Sequence, residues 1–137
     1  MTGNPITIGP FDTVQHAAQL MDDFNVGALP VCQGSLLLGI VTDRDITVRA
    51  TAAGLDPATT EVDTVMSERV RSCSVQQTVA QALDQMSSVQ IRRLPVLDTH
   101  RRLVGIVSLG DLAARRSDGV QEALSCICTP ARPDRAV

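Results

Sequence analysis

Apolar residues recur at helical spacing behind Thr13, at Val14, Ala17, Ala18 and Met21, and again behind Thr78, at Val79, Ala82, Leu83 and Met86. The pattern predicts an amphipathic helix in each place. Thr13 and Thr78 are the N-cap residues of this reading, and Gln81, three residues after Thr78, completes a capping box. Each helix hands over to a short apolar run holding Leu-Pro-Val (Leu29-Pro30-Val31 and Leu94-Pro95-Val96), then to a turn, "QGS" or "DTHR", and then to a second run, "LLLGIV" or "RLVGIV". Strand-length runs with turn residues between them predict a hairpin. Proline cannot donate to a ladder, so the first strand of each hairpin is expected at a sheet edge, or with its proline at the first residue. A second helix is expected after each hairpin, which gives the order helix, strand, strand, helix twice.

The doubling is an internal repeat. A shift of 65 places Met1 on Met66, Thr13-Val14 on Thr78-Val79, Ala17 on Ala82, Met21 on Met86 and Leu29-Pro30-Val31 on Leu94-Pro95-Val96. After one extra residue in the second turn the shift becomes 66, and Gly39-Ile40-Val41-Thr42 falls on Gly105-Ile106-Val107-Ser108, with Asp45 on Asp111. From its length, neither copy is expected to close a core alone. The expected organisation is a first unit over residues 1–57, a second over 58–117, and a C-terminal helix and tail over 118–137.

The repeated "GIVTDRDI" and "GIVSLGDL" carry the candidate chemistry. A hydroxyl at the end of a strand with a carboxylate three residues later is first an N-cap arrangement: the Thr42 or Ser108 oxygen accepts backbone N–H bonds, and Asp45 or Asp111 favours the positive end of the helix dipole. The same arrangement suits a nucleotide, with phosphate near the amides and sugar hydroxyls on the acid.

Composition narrows the partners. A chain of 137 residues can bury roughly 68% of the surface its unfolded form exposes, without staples. The longest apolar run, Leu36 to Val41, is far too short to cross a bilayer. The opening "MTGNPITIGPFDT" has neither a basic start nor a long apolar stretch, so a cytoplasmic protein is expected. All 12 cationic side chains are arginine, and Phe11 and Phe24 are the only aromatic residues, which leaves almost no platform for base stacking. Residues 1–65 hold two arginines and eight carboxylates, net −6, whereas residues 66–137 hold ten arginines and seven carboxylates, net +3. Those arginines stand in scattered pairs and form no single stripe, which counts against nucleic acid as a partner.

Two units of about 65 residues, each with Leu-Pro-Val followed by Gly-Ile-Val-[Thr/Ser]-x-x-Asp, resemble a tandem pair of CBS domains, the modules named after cystathionine β-synthase. The resemblance implies an α+β fold of two pseudo-symmetric CBS units, each a small sheet flanked by helices, packed through their sheets. It also implies clefts at the seam that hold adenosine-containing ligands such as AMP, ADP, ATP or S-adenosylmethionine. Carried over position by position, Asp45 and Asp111 match the family's ribose-binding acid, Thr42 and Ser108 the hydroxyl beside it, and Arg93 a position that contacts phosphate. Ile40 and Ile106 would line an apolar slot for the base. The first copy departs from this pattern: Ala28 replaces Arg93, Asp43 adds a negative charge, and nothing in it corresponds to the "EVDTV" before Met66. The second copy has Leu109-Gly110 in place of Asp43-Arg44, which removes a cation and permits close approach of backbone to ligand. The stretches "TAAGLDP" and "CICTP" are similar to bacterial CBS pairs of the hypoxic response protein type, which implies a stress-associated, dimeric, non-enzymatic protein.

Four cysteines, Cys32, Cys73, Cys126 and Cys128, are expected as reduced thiols in a cytoplasmic setting. Cys32 and Cys73 lie in strand contexts that suit small buried hydrophobes. Cys126 and Cys128, near the end of the helix expected over "SDGVQEALSCI", suit core packing first, a redox contact second, and zinc third. A metal site with His16 and His100 would lack Cys-x-x-Cys spacing, so no metal ligand is assigned. The histidines are expected at the surface. With no nucleophile motif and no Walker or dinucleotide glycine pattern, the chain reads as a binding module with no required cofactor. Two functions fit: a regulatory sensor of an adenosyl ligand, read by a protein target, or a ligand-free homodimeric stress or redox scaffold.

Overall fold

The computed structural model describes residues 2–3, 5–68, 70–89 and 93–110. In chain order the elements are strand β1 (Thr2–Gly3), helix α1 (Val14–Phe24), strands β2 (Ala28–Gln33) and β3 (Leu36–Thr42), a helical turn α2 (Asp43–Asp45), strand β4 (Cys73–Ser74), helix α3 (Val79–Val89), and strands β5 (Arg93–Leu97) and β6 (Leu103–Ser108). A π-helical segment, Ile46–Thr51, continues α2, and a 3₁₀ turn spans Val62–Thr64. The predicted order of helix, strand, strand, helix is complete in the first copy. In the second it is followed as far as Leu109 and Gly110, which are helical. The fold is α+β, in two compact units.

One unit is Ile6–Val70. Thr13 starts α1 as its pattern predicts, its Oγ1 accepting from the His16 N–H at 3.1 Å, and Asn25, in the left-handed region at φ 53°, ends the helix. Val14, Ala17 and Met21 face inward against Leu29, Val31 and Val41 of the β2–β3 hairpin. Ala18, expected with them, is exposed, and Leu20 packs against the core edge instead. Gly34, at φ +64°, makes the tight turn of the hairpin. Beyond the π-helical segment the chain folds back on the start of α1, with Val14 N–H on the Thr60 carbonyl and Val62 N–H on the Asp12 carbonyl, both at 2.8 Å. This return sinks Val62 and Val65 completely into the core. Each side chain so buried contributes about 1.5–3 kcal/mol.

The other unit comprises the described residues of Met1–Pro5 and Arg71–Val137. Its sheet runs β1-β6-β5-β4, with β4 parallel to β5 and the other neighbours antiparallel. The expected capping box is formed at α3: Thr78 N–H donates to Gln81 Oε1 at 2.9 Å, and Gln81 N–H to Thr78 Oγ1 at 3.1 Å. Ala82, Leu83 and Met86 pack on Leu94, Val96 and Val107.

The two copies exchange their leading segments. Thr2 and Gly3 pair with Ile106 and Gly105, whereas Ser67, the repeat equivalent of Thr2, pairs with Ile40 through two 2.9 Å backbone bonds. The Gly39 kept in the motif lies under this strap. A Cβ there would stand 2.6 Å from the Ser67 carbonyl oxygen and 2.9 Å from the Met66 sulfur.

The prolines correct one expectation. Pro95 is the third residue of β5, an interior strand between β6 and β4. Its partner, Ile106, is the equivalent of Ile40, which pairs with Pro30 and turns its own N–H and C=O away from that proline, toward Ser67. The missing donor of Pro95 therefore falls on the β4 side, and the ladder there begins only at Val96 with Cys73. The proline stands where no ladder bond is lost.

Candidate functional site

In the first unit, β3 ends at Thr42 and the chain turns into α2. Thr42 Oγ1 accepts from the Asp45 N–H at 3.0 Å, and Asp45 Oδ2 accepts from the Thr42 N–H at 3.0 Å. This is a reciprocal capping box, and it leaves Asp45 only 8% exposed. Its other oxygen, Oδ1, faces the Arg49 guanidinium, with Nε at 3.9 Å. A carboxylate has about four acceptor positions, so Oδ1 keeps capacity for a further donor. Arg49 in turn directs Nη1 at the carbonyls of Val65 and Met66, at 3.2 and 3.4 Å. Sequence reasoning passed over Arg49; its spacing of four from Asp45, an ion-pair spacing on a helix, is the signal that could have found it.

Cross-strand register places the remaining candidates. Thr42 lies opposite Ala28, and Ile40 opposite Pro30; in the second unit Ser108 lies opposite Arg93, and Ile106 opposite Pro95. Directly opposed residues share a sheet face, and side chains alternate along a strand. Arg93, Ile106 and Ser108 therefore occupy one face of the β5–β6 hairpin, while Leu94, Val96 and Val107 occupy the core face. Arg93 is exposed, and Ile106 and Ser108 are half-buried. The first unit repeats the arrangement with Ala28, Ile40 and Thr42, and so without the cation. Asp43 stands beside it, its Oδ2 3.2 Å from where a Cβ on Gly27 would lie and its Oδ1 accepting from the Arg44 N–H at 2.8 Å. Among the described residues, a Cβ on Gly110 would meet only Ser108 Oγ, at 3.7 Å.

Asp111, Cys126 and Cys128 lie outside the described residues. Cys32 and Cys73 are buried free thiols, and burial pushes both above the ordinary thiol range. His16 and His100 are exposed, as expected. Among the described residues no three His, Cys, Asp or Glu side chains converge to hold a metal, and no helix is long and apolar enough to cross a membrane. An open cavity of about 400 Å³ lies at the end of β4, lined among others by Ser72, Ser74, Gln77, Asp98 and Arg101; of the predicted site residues that are described, none is among its lining.

Comparison with known proteins fits this geometry. The CBS domain family matches residues 1–50 and 62–118. The CBS domain-containing protein YhcV of Bacillus subtilis (strain 168) is 46% identical over 116 residues, covering 85% of this chain and 81% of YhcV. The crystal structure of Hypoxic Response Protein I with two coordinated zinc ions superimposes with a TM-score of 0.76 at 36% identity, over 85% of this chain and 94% of that one. A more distant solved structure, CBSX2 in complex with AMP, shares the fold at a TM-score of 0.71 and 23% identity, over 84% of this chain and 90% of that one. Two family matches in register with the repeat, on two units of the same strand and helix order, establish that the chain belongs to the CBS domain family as a tandem pair of CBS units.

Proposed function

We propose that this chain is a non-enzymatic regulatory module that senses an adenosine-containing ligand through the residues of its repeated motif. The observation that carries this reading is the exposed Arg93, one cross-strand step from Ser108 and on the same face as Ile106. A guanidinium beside a hydroxyl and an apolar side chain suits a phosphate next to a nucleoside. The AMP complex of CBSX2 supports it from the side of the fold. Asp111 in the second unit, and Asp45 Oδ1 in the first, are the acids for ribose hydroxyls, and Ile40 and Ile106 contact the base. With Ala28 in place of an arginine and Asp43 nearby, the first unit is the poorer phosphate site. In this reading the module is a cytoplasmic homodimer whose ligand-bound state is read by a protein target, and it needs no cofactor for chemistry.

The test is a thermal-shift and calorimetric screen with AMP, ADP, ATP and S-adenosylmethionine. A ligand at a hundredfold its dissociation constant adds about 2.7 kcal/mol of stability. Arg93→Ala should weaken AMP about tenfold or more, the worth of a charge-assisted bond. It should leave S-adenosylmethionine, which has no phosphate, unchanged. Absence of any shift, or phosphorylated ligands indifferent to Arg93→Ala, would overturn the reading.

The likeness to Hypoxic Response Protein I favours a second reading, a homodimeric stress-response scaffold that binds no nucleotide and uses Cys126 and Cys128 as redox or zinc-binding thiols. Cys128→Ser should then alter the dimer or its zinc content in native mass spectra recorded with and without reductant. Identical spectra for variant and parent protein would remove it.

A further inference from the structure

We propose that Arg49 is a positioning residue that ties the Asp45 carboxylate to the strap Val65–Ser67, so that the strap reports the state of that acid. Three observations on one unit converge. Asp45 is buried, with Oδ2 spent on the Thr42 amide and Oδ1 turned to Arg49 at 3.9 Å. Arg49 Nη1 reaches the Val65 and Met66 carbonyls, 16 and 17 residues away in sequence. The next residue, Ser67, is bonded through both its N–H and its C=O to Ile40, directly above Gly39, where no side chain fits.

The guanidinium therefore bridges the acid and the segment that leads out of this unit toward Arg71. The π-helical geometry of Ile46–Thr51 belongs to the same device, since Arg49 lies within it; such turns recur at functional sites. A carboxylate holds a cation over two carbonyls by charge. A sugar diol that donates to Oδ1 competes for the same oxygen, weakens that hold and loosens the strap. Linkage makes the effect reciprocal: loss of Arg49 raises affinity at Asp45 by the factor with which ligand frees the strap. This ligand half rests on the reading of Asp45 as a ribose acid; the tie itself does not.

The experiment is native-state amide exchange on the full chain, reading the Ile40 and Ser67 amides against α1 amides such as that of Met21. In ligand-free protein, Arg49→Met should speed exchange at Ile40 and Ser67 roughly tenfold, the loss of a charge-assisted bond. Asp45→Asn, which keeps an acceptor for the Thr42 amide but removes the charge, should do the same. The double variant should add little to either. Arg49→Lys, which keeps the charge without the fork, should fall between. The α1 amides should not change in any of them. If Asp45→Asn leaves the strap untouched, or if α1 accelerates equally, Arg49 does not act as a tie and the proposal fails. With AMP as probe, parent protein should show faster strap exchange and Arg49→Met tighter AMP binding. AMP that binds yet leaves the strap unchanged overturns the ligand half. Failure of AMP to bind at all counts against the sensor reading instead, and the ligand-free variants still decide the tie.

Discussion

Gly39 and Gly110 make a contrasting pair at the residue scale. At Gly39 a Cβ would meet a backbone carbonyl at 2.6 Å, which cannot give way without moving the strap. Gly39→Ala should lower stability by about 1–3 kcal/mol, the usual cost of overpacking, read by urea unfolding. Gly110 is helical, and among the described residues nothing crowds a Cβ there, so Gly110→Ala should hold or raise stability by up to about 1 kcal/mol. If Gly110 serves close approach to a ligand, the same variant should weaken binding while it stabilises the fold. The repeat alone marked Gly39 and Gly105 as kept, but the reason for Gly39 is a carbonyl 28 residues further along the chain, which no local pattern reveals. The cysteines carry a pH signature. Burial raises the Cys32 and Cys73 thiols, so the native state holds protons that the unfolded chain releases above about pH 8.5. Stability from this source is complete below that value and falls as pH rises toward the raised native values. Unfolding midpoints measured between pH 7.5 and 10 should show that decline, and a Cys32→Ala, Cys73→Ala variant should show less of it.

Among the elements, the helix starts were legible, because a cap depends on neighbours within three residues. The caps at Thr13, Thr78 and Thr42 were written in the chain and stand in the structure at 3.0–3.1 Å. The place of Pro95 was not, because whether a proline costs a ladder bond depends on where the parallel strand β4 begins, and β4 starts some twenty residues earlier at Cys73. The β5–β6 turn shows a local device at work. Asp98 Oδ1 accepts from the Arg102 N–H at 2.9 Å and the His100 N–H at 2.8 Å, and these bonds, that to Arg102 foremost, hold its carboxyl below the usual carboxylate range. A lowered native value means that the contribution is present above the unfolded carboxylate value near 4 and is lost as pH falls through the native one. Asp98→Asn should therefore be less stable than the parent at pH 7, and the gap should narrow as the buffer is taken toward pH 3. A gap that is constant with pH would show that the charge of Asp98 has no part in the turn.

On the scale of the whole chain, the repeat and the compact units do not coincide, and the exchange of leading segments is why. A shift of 65 residues aligns Thr2 with Ser67, yet Thr2 pairs beside β6 and Ser67 beside β3. Sequence symmetry reports that two segments are equivalent and is silent on which copy each one joins. The difference has a measurable consequence. A fragment of residues 6–70 keeps Val62 and Val65, both completely buried, together with the strap over Gly39. A fragment of residues 1–57 loses all three and keeps instead a strand whose partner, β6, is absent. Removing two fully buried valines forfeits about 3–6 kcal/mol of burial, a large share of what a domain of about 60 residues can muster. The 6–70 fragment should therefore melt cooperatively, if at a low temperature, with dispersed amide resonances. The 1–57 fragment should show neither. A cooperative transition in the shorter piece would mean that the return of residues 58–66 onto α1 is dispensable, and with it the strap through which Arg49 acts.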